Sequence, residues 1–468
     1  MSHQTDTLNW DTVFVIPISE VNKYIIKRES SPNKFEYTCL EDSIQGDFKD
    51  WQIVQGGDGS LIWLSIPIEE VSGSNQLGNY SIERGELIVE VKLQFLDHSE
   101  DEKHLTIRCS SESQTDPVVS LKSFTYSTNP TGNLVDVFGI EFANAMMGSL
   151  IISWLNEHLE EFNHIFATVN LNTYIDENEG WTWCKPSYVD YAYLDGSSLD
   201  NSLLGVLCMT GGRNATIQQI QKIDPFAIPD GSNSGFLISQ ERLLKDLIFP
   251  TIPMHWTSSN PNDFEVIVGG NTETGDYETI LKLKDGKTVN LDPITQDGIL
   301  YYPKMTNMKI TLESDRIILN AYTETEINSN VTSWCQTTHK YTLTLADTLQ
   351  GQTIVYKELQ DADVLHGIYD ETTSIEKWIT IAVSGLSVLI LGVMGGALAA
   401  FAGGMVMGLL TGILPEIQSH KETELSPTID LLAFNATNPI KWSSSDVYEL
   451  DSARLIGPLQ LGGTLILE

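Results

Sequence analysis

Residues 87–95 read Leu-Ile-Val-Glu-Val-Lys-Leu-Gln-Phe, and this stretch decides the fold class. Apolar side chains stand at every second position, and the positions between them after Ile88 are charged or polar. Because successive side chains of a strand point to opposite faces, a period of two predicts a strand with one buried face. Similar alternation at 264–268 and 341–345 predicts further strands of the same kind.

Turn-forming pairs separate these strand-like segments, among them Asp58-Gly59, Asp230-Gly231 and Asp285-Gly286. Strands alternate with short turns rather than with helical crossovers of ten or more residues. Parallel neighbours need such crossovers, so the sequence predicts antiparallel sheets.

Two segments depart from this pattern, and the first is an amphipathic helix predicted near 138–166. Its apolar residues recur at steps of three and four, the spacing of one helix face. They are Met147, Ile151, Trp154, Leu155, Leu159, Phe162 and Phe166. Because acidic residues stand between them, we expect this helix to lie on a sheet.

The second segment, 378–415, contains no Asp, Glu, Lys or Arg. We predict a long apolar helix over 378–414. Small residues recur every fourth position, at Gly392, Gly396, Ala400, Gly404, Gly408 and Gly412. Such a stripe lets another backbone or a slender apolar ligand approach closely. The segment is longer than the roughly 20 residues of one bilayer crossing. We expect it to be buried within the protein, with conditional insertion into a membrane as the alternative.

Composition restricts the function. The 468 residues include 63 Asp and Glu against 27 Lys and Arg, a net charge of −36. This excess repels phosphate backbones, so we expect no nucleic-acid partner. Five scattered cysteines predict neither a disulfide framework nor a zinc ribbon. The polar start of the chain lacks a Sec-type signal pattern, so we expect cytoplasmic synthesis and release by another route.

The chemistry-bearing residues form no complete catalytic signature, and we predict no catalytic residues, no cofactor and no metal site. Asp363, His366 and Asp370 would share one face of a helix, where they could bind a metal or transfer protons; a solvated helix is the simpler interpretation. Cys184 beside Lys185 is a candidate reactive thiol. His158 fits a half-buried position beside Trp154 better than a ligand position.

Several motifs together resemble one protein family. They are Asn9–Phe14 followed by Val21-Asn22-Lys23, Phe48-x-x-Trp51 before Gly56-Gly57-Asp58-Gly59, Phe162–Asn172, Tyr191-Ala192-Tyr193 and Leu204–Thr210. In order and spacing they are similar to the clostridial forty-seven-kilodalton protein family. That family is named after an accessory protein encoded in neurotoxin gene clusters beside the OrfX proteins.

The resemblance implies the TULIP (tubular lipid-binding) superfamily. The predicted fold class is therefore α+β, with strongly curved antiparallel sheets wrapped around long helices in an elongated two-lobed body. We expect an N-terminal lobe over 1–250 that includes the helix near 138–166. A C-terminal β-rich lobe over 251–468 would include the helix at 378–414.

The predicted function is non-enzymatic binding of an elongated, lipid-like ligand, in an accessory role for a toxin or secreted factor. The ligand would lie along the apolar helix, against Leu389, Gly392, Val393, Gly396, Leu398, Phe401, Gly404, Met405, Met407, Gly408 and Leu410. Partners would be an apolar small molecule and a toxin or homologous accessory proteins, with membrane contact only under some conditions. Two alternatives stay open: a membrane-active or protein-interaction toxin component, and a cofactor-free isomerase or cyclase acting on a hydrophobic molecule.

Overall fold

The structure is a computed structural model that describes nine ranges of the chain. They are residues 5–108, 117–171, 179–251, 258–270, 277–348, 351–359, 362–370, 436–442 and 447–466. Strands are numbered in chain order, and every strand pairing in these ranges is antiparallel, as the sequence predicts.

A six-stranded sheet combines strands from the beginning, middle and end of the chain. Its members are β1 (Thr12–Pro17), β10 (Pro186–Leu194), β11 (Leu203–Thr210), β12 (Ser234–Ile238), β24 (Val447–Leu455) and β25 (Leu459–Ile466). Their order is β10-β11-β1-β12-β25-β24. Three of the described ranges therefore meet in one sheet.

A nine-stranded sheet uses mainly the first 170 residues. It contains β2 (Lys34–Cys39), β3 (Asp42–Phe48), β4 (Gln52–Asp58), β5 (Leu61–Asn75), β6 (Gly78–Asp97), β7 (Glu102–Ile107), β8 (Val119–Tyr126), β9 (Ala167–Asn170) and β23 (Ile440–Trp442). The main path runs β2-β3-β5-β6-β7-β9-β23, with β4 beside β5 and β8 beside β6.

An eight-stranded sheet lies between residues 264 and 370. It contains β13 (Phe264–Gly270), β14 (Tyr277–Leu283), β15 (Val289–Asn290), β18 (Lys304–Glu313), β19 (Arg316–Asn328), β20 (Val331–Thr348), β21 (Gly351–Glu358) and β22 (Asp363–Asp370). A separate hairpin joins β16 (Ile294–Gln296) to β17 (Ile299–Tyr301).

Helices are few in the described ranges. They are α1 (Ile18–Lys27), α2 (Asn133–Phe138), α3 (Ile140–Glu157) and α4 (Gln240–Arg242), which continues as a π-helical turn at Leu243–Ile248. Single 3-10 turns stand at Leu159–Glu161, Glu179–Cys184, Phe249–Thr251 and Pro261–Asp263.

The stretch 87–95 lies within β6, and its alternation matches its burial. Leu87, Val89, Val91 and Leu93 are buried, whereas Ile88 and the polar residues between them are half-buried. Along one edge, β6 pairs first with β8, through 85–91, and then with β7, through 93–97. β20 likewise pairs with β22 through 331–338 and with β21 through 341–348. Each of these long strands therefore supports two short strands end to end.

The amphipathic helix predicted near 138–166 is present as α3 (Ile140–Glu157), and it packs on β2, β3 and β8. Trp154 anchors it, with its ring centroid 5.2 Å from that of Phe48. Leu159, Phe162 and Phe166 are buried too, but they follow the helix in a 3-10 turn and an extended segment.

The expectation of long helices needs correction within the described ranges, where the longest helix is α3 with 18 residues. The turn that ends it at His158 explains the shorter length. The other helix, predicted at 378–414, lies outside the described residues.

The division into 1–250 and 251–468 stays a prediction, and strand pairing crosses it. β25 pairs with β12, and β23 pairs with β9. Trp442, in β23, lies 5.8 Å from Phe14 of β1 between ring centroids. Residues from both predicted lobes thus share one hydrophobic core.

Candidate functional site

The ligand-binding residues predicted on the glycine-rich segment all lie outside the described residues, from Leu389 through Leu410. Their role as a ligand site therefore stays a prediction. Two other parts of the chain can be assessed from their geometry: the apolar interior under α3 and a polar cleft beside β1.

The apolar interior under α3 is almost filled. The helix packs its buried face against the nine-stranded sheet, and the remaining cavity measures about 10 Å³. Its walls are Leu64, Ile66, Val89, Val91, Ile107, Val119, Leu155, Leu159 and Phe162. Because about 10–15 Å³ is the minimum for one water molecule, no alkyl chain fits there without rearrangement.

The polar cleft has a volume of about 500 Å³, within the range of small-molecule sites. It lies between the N-terminal segment, the end of β11, the start of α4 and strands β13 and β14. Its lining residues include Thr5, Asp6, Thr7, Asn9, Trp10, Asp11, Met209, Arg213, Asn214, Thr216, Gln218, Gln219, Ser239, Gln240, Glu241, Val268, Thr279 and Pro458. Most of these side chains are polar, unlike the apolar lining expected for a lipid site.

Asp11 organises the floor of this cleft, immediately before β1. It is 1 % exposed, and its Oδ2 accepts hydrogen bonds from Thr210 N at 2.8 Å and Arg242 Nη2 at 3.1 Å. The Arg213 guanidinium also binds it, with Nε 3.0 Å from Oδ2. Burial of a carboxylate is costly unless it is paired and hydrogen-bonded, and this one is both.

The two arginines connect Asp11 to further carboxylates. Arg213 Nη1 lies 2.7 Å from Glu241, and Arg242 Nη1 lies 3.0 Å from Asp246. Arg242 Nη2 also donates to the Thr210 carbonyl at 2.6 Å. The network therefore joins β1, β11 and α4. Sequence reasoning missed it, because Asp11 stands some 200 residues before its partners Thr210, Arg213 and Arg242 and forms no local motif with them.

Arg213 remains one-third exposed at the cleft, and each of its three guanidinium nitrogens contacts a carboxylate oxygen of Asp11 or Glu241. Around it, neighbouring amides are already bonded to backbone: Asn9 Nδ2 donates to Gln218 O at 3.0 Å, and Gln219 Nε2 donates to Asn9 O at 2.8 Å. The residues described as lining the cleft include no His, Cys, Lys or Tyr.

The candidate catalytic residues do not assemble. Residues 363–370 form strand β22 and not the predicted helix, so Asp363 and His366, three apart, point to opposite faces. His158 stacks on Trp154 with ring centroids 4.5 Å apart, and its Nδ1 lies 2.9 Å from the Trp154 carbonyl oxygen. It thus has the half-buried packing role predicted for it.

The candidate reactive thiol of Cys184 lies in the protein interior. Cys184 is buried, and desolvation raises its pKa to about 12, so the reactive thiolate is suppressed near neutral pH. Cys208 is equally buried, and desolvation raises its pKa to about 12 as well.

Among the helices in the described ranges, none has the length and apolar character required to cross a membrane.

Comparison with known proteins agrees with the family resemblance. A family model described as "OrfX-like: Protein OrfX2/OrfX3/P47" matches residues 7–463. This chain belongs to the OrfX-like family. Protein OrfX3 of Paraclostridium bifermentans is similar to it, at 42% identity with 99% of each chain covered. Protein OrfX3 of Clostridium botulinum (strain Kyoto / Type A2) is 39% identical, again with 99% of each chain covered.

The OrfX-like fold is also found among solved structures. The structure of P47 from Clostridium botulinum A2 superposes with a TM-score of 0.70 over 98% of each chain, at 18% sequence identity. P47 of Clostridium botulinum E1 gives a TM-score of 0.65 at 15% identity, covering 98% of this chain and 99% of the other. The prediction of the P47 and OrfX family is therefore confirmed. The assignment to the TULIP superfamily stays a prediction.

Proposed function

We propose that this OrfX-like protein is a non-enzymatic accessory protein of a toxin, and that it binds an elongated apolar ligand along segment 378–414. The single observation behind the proposal is that segment itself. In a chain with a net charge of −36, residues 378–415 contain no charged side chain. Similarity to Protein OrfX3 and Protein P47 supports the accessory role.

Two regions of the described residues are poor locations for an elongated apolar ligand. The interior under α3 retains only about 10 Å³, and the cleft beside Asp11 is polar. Neither matches an alkyl chain. The interior under α3 is apolar but has no room, and the cleft has room but is polar, so we assign the ligand to the small-residue stripe from Gly392 to Gly412.

Burial of an alkyl chain would release enough free energy to bind such a ligand. Transfer of a methylene from water contributes about 0.8 kcal/mol, so a chain of some sixteen carbons gains roughly 12 kcal/mol before the costs of association. Met405 and Met407 have flexible side chains that adapt to ligands of varied shape.

Lipid extraction tests the proposal. The purified full chain is extracted with organic solvent and analysed by mass spectrometry, and a fluorescent fatty acid is titrated into the delipidated protein. Replacement of small residues by Gly396→Leu and Gly404→Leu should weaken fatty-acid binding at least tenfold. A matched control, Leu365→Ala, alters an apolar side chain that is 63 % exposed on β22 and should leave binding unchanged. Absence of both a co-purified lipid and saturable fatty-acid binding would refute the proposal.

A membrane-active role is the second candidate, and one observation favours it. At the α2–α3 junction Val137 is 69 % exposed, and Phe138 and Phe142 are each 44 % exposed. The two phenyl rings lie 5.3 Å apart and flank Gly139. Such a tip can enter a lipid interface once acid neutralises part of the negative charge. Dye leakage from anionic vesicles between pH 7 and 4.5 tests this role, with Phe138→Ser/Phe142→Ser as the variant; absence of leakage at every pH removes it.

A further inference from the structure

The end of the β6–β7 hairpin brings together His98, Glu102 and His104. One ligand atom from each residue lies within 4.8 Å of the others. The two imidazole rings stack with centroids 4.2 Å apart, and His104 Nε2 is 2.6 Å from Glu102 Oε1. We propose that these three residues bind a divalent transition-metal ion of the zinc type.

The strand register places all three side chains on one face. Leu96 pairs with His104 and Asp97 with Lys103, and His98 N donates to Glu102 O at 2.8 Å. Directly opposed residues share a face, as do residues two apart, so His98, Glu102 and His104 point to the same side. Lys103 points to the other side.

Lys103 does not compete for this site. Its ammonium lies 2.6 Å from Asp97 Oδ1 on the opposite face of the hairpin. The turn between the strands adds exposed Glu100 and Asp101, so the local charge is negative. A cation is therefore attracted to this end of the hairpin.

The second edge of β7 makes the site rigid. Glu102 pairs with Asn170 and His104 with Thr168, both on β9. Two of the three ligands thus stand on a strand that is hydrogen-bonded along both edges, which holds them more precisely than a free loop would. Asn170 and Thr168 occupy adjacent positions on the same face, where side-chain oxygens can orient metal ligands.

The donor set indicates the class of metal. Two imidazole nitrogens and one carboxylate oxygen suit zinc, leaving a fourth position for water. Magnesium and calcium prefer oxygen ligands throughout. Zinc bonds of about 2.0–2.1 Å separate tetrahedral ligand atoms by about 3.3 Å. The three ligand atoms now lie within 4.8 Å of one another, so metal binding requires rotation of exposed His98 and release of the His104–Glu102 hydrogen bond.

No metal site was predicted from the sequence at the β6–β7 hairpin. The pattern His-x3-Glu-x-His matches no common zinc motif, and its meaning depends on the hairpin register. The signal that could have revealed the metal site is a pair of histidines on either side of a short turn, with His104 at an alternate position of the following strand.

Isothermal titration with zinc chloride tests the site. The full chain is used without an affinity tag, treated with chelator, and made with Cys39→Ser because Cys39 is an exposed thiol that would bind zinc. One ion should bind per chain, and His98→Ala should weaken binding at least tenfold. His104→Ala and Glu102→Gln should do the same. His366→Ala is the matched control, since His366 is exposed on β22 and should leave the affinity unchanged.

X-ray absorption of the zinc-loaded chain provides a second measurement. Two imidazole nitrogens and at least one oxygen should surround the metal. Circular dichroism verifies that each variant is folded, and His98 is exposed, so its removal leaves the core intact. Failure to bind zinc saturably, or equal affinity in the parent and His98→Ala, would overturn the proposal. This result is independent of lipid binding at 378–414.

Discussion

Removal of the Asp11 carboxylate should be among the most damaging single changes in the described part of the chain. Asp11→Ala leaves Arg242, whose side chain is 5 % exposed, without one of its two carboxylate partners. Loss of one member of a buried ion pair typically costs about 3–5 kcal/mol, because the remaining charge stays in a desolvated site. Arg242 keeps Asp246 and Arg213 keeps Glu241, so we expect a loss of about 3 kcal/mol.

Urea denaturation followed by tryptophan fluorescence measures this loss, because Trp10 adjoins Asp11 and is buried. The matched control is Lys287→Ala, which breaks a pair of 2.9 Å to Asp263 at an exposed site. Pairs of that kind contribute about 0–1 kcal/mol. A change of under 1 kcal/mol for Asp11→Ala, equal to the control, would show that the network does not stabilise the fold.

Two further predictions concern the interior. Leu155 lies in the wall of the small cavity under α3, and Leu155→Ala should lower the free energy of unfolding by about 2–5 kcal/mol. Ile217 is exposed, so Ile217→Ala should change it by less than about 0.5 kcal/mol. Equal urea midpoints for the two variants would contradict the tight packing under α3. Desolvation lowers the pKa of buried His164 to about 4, so the unfolded chain takes up the proton first as pH falls below about 6.5. Stability should thus be complete above pH 6.5 and lower by about 3 kcal/mol at pH 4. His164→Phe should flatten that part of the profile, and a parent profile equally flat would refute the assignment.

The strands were the most predictable part of the fold. The alternation of apolar and polar residues at 87–95 predicts which side chains face the core, because successive side chains of a strand point to opposite faces. The buried positions of α3 were equally visible, because Met147, Ile151 and Trp154 repeat at helical spacing. In both cases the information is local.

The failures have a non-local cause. Residues 363–370 form a strand because β20 offers them an unpaired edge, with His366 opposite Cys335, and nothing in the segment itself encodes that partner. The end of α3 at His158 was likewise not visible in the sequence, since the apolar spacing continues to Phe166. The Asp11 network depends on three segments that meet only after the sheet forms.

The pairing of β25 with β12 has a consequence for synthesis on the ribosome. Ser234 lies opposite Gly463, so some 230 residues must be made before that edge of β12 is covered. Until then the nascent chain exposes a strand whose five residues are all buried in the folded protein, and its open edge is a template for wrong pairing. Chaperone occupancy on stalled chains should therefore persist from the emergence of Ile238 and fall only when Leu459 leaves the exit tunnel.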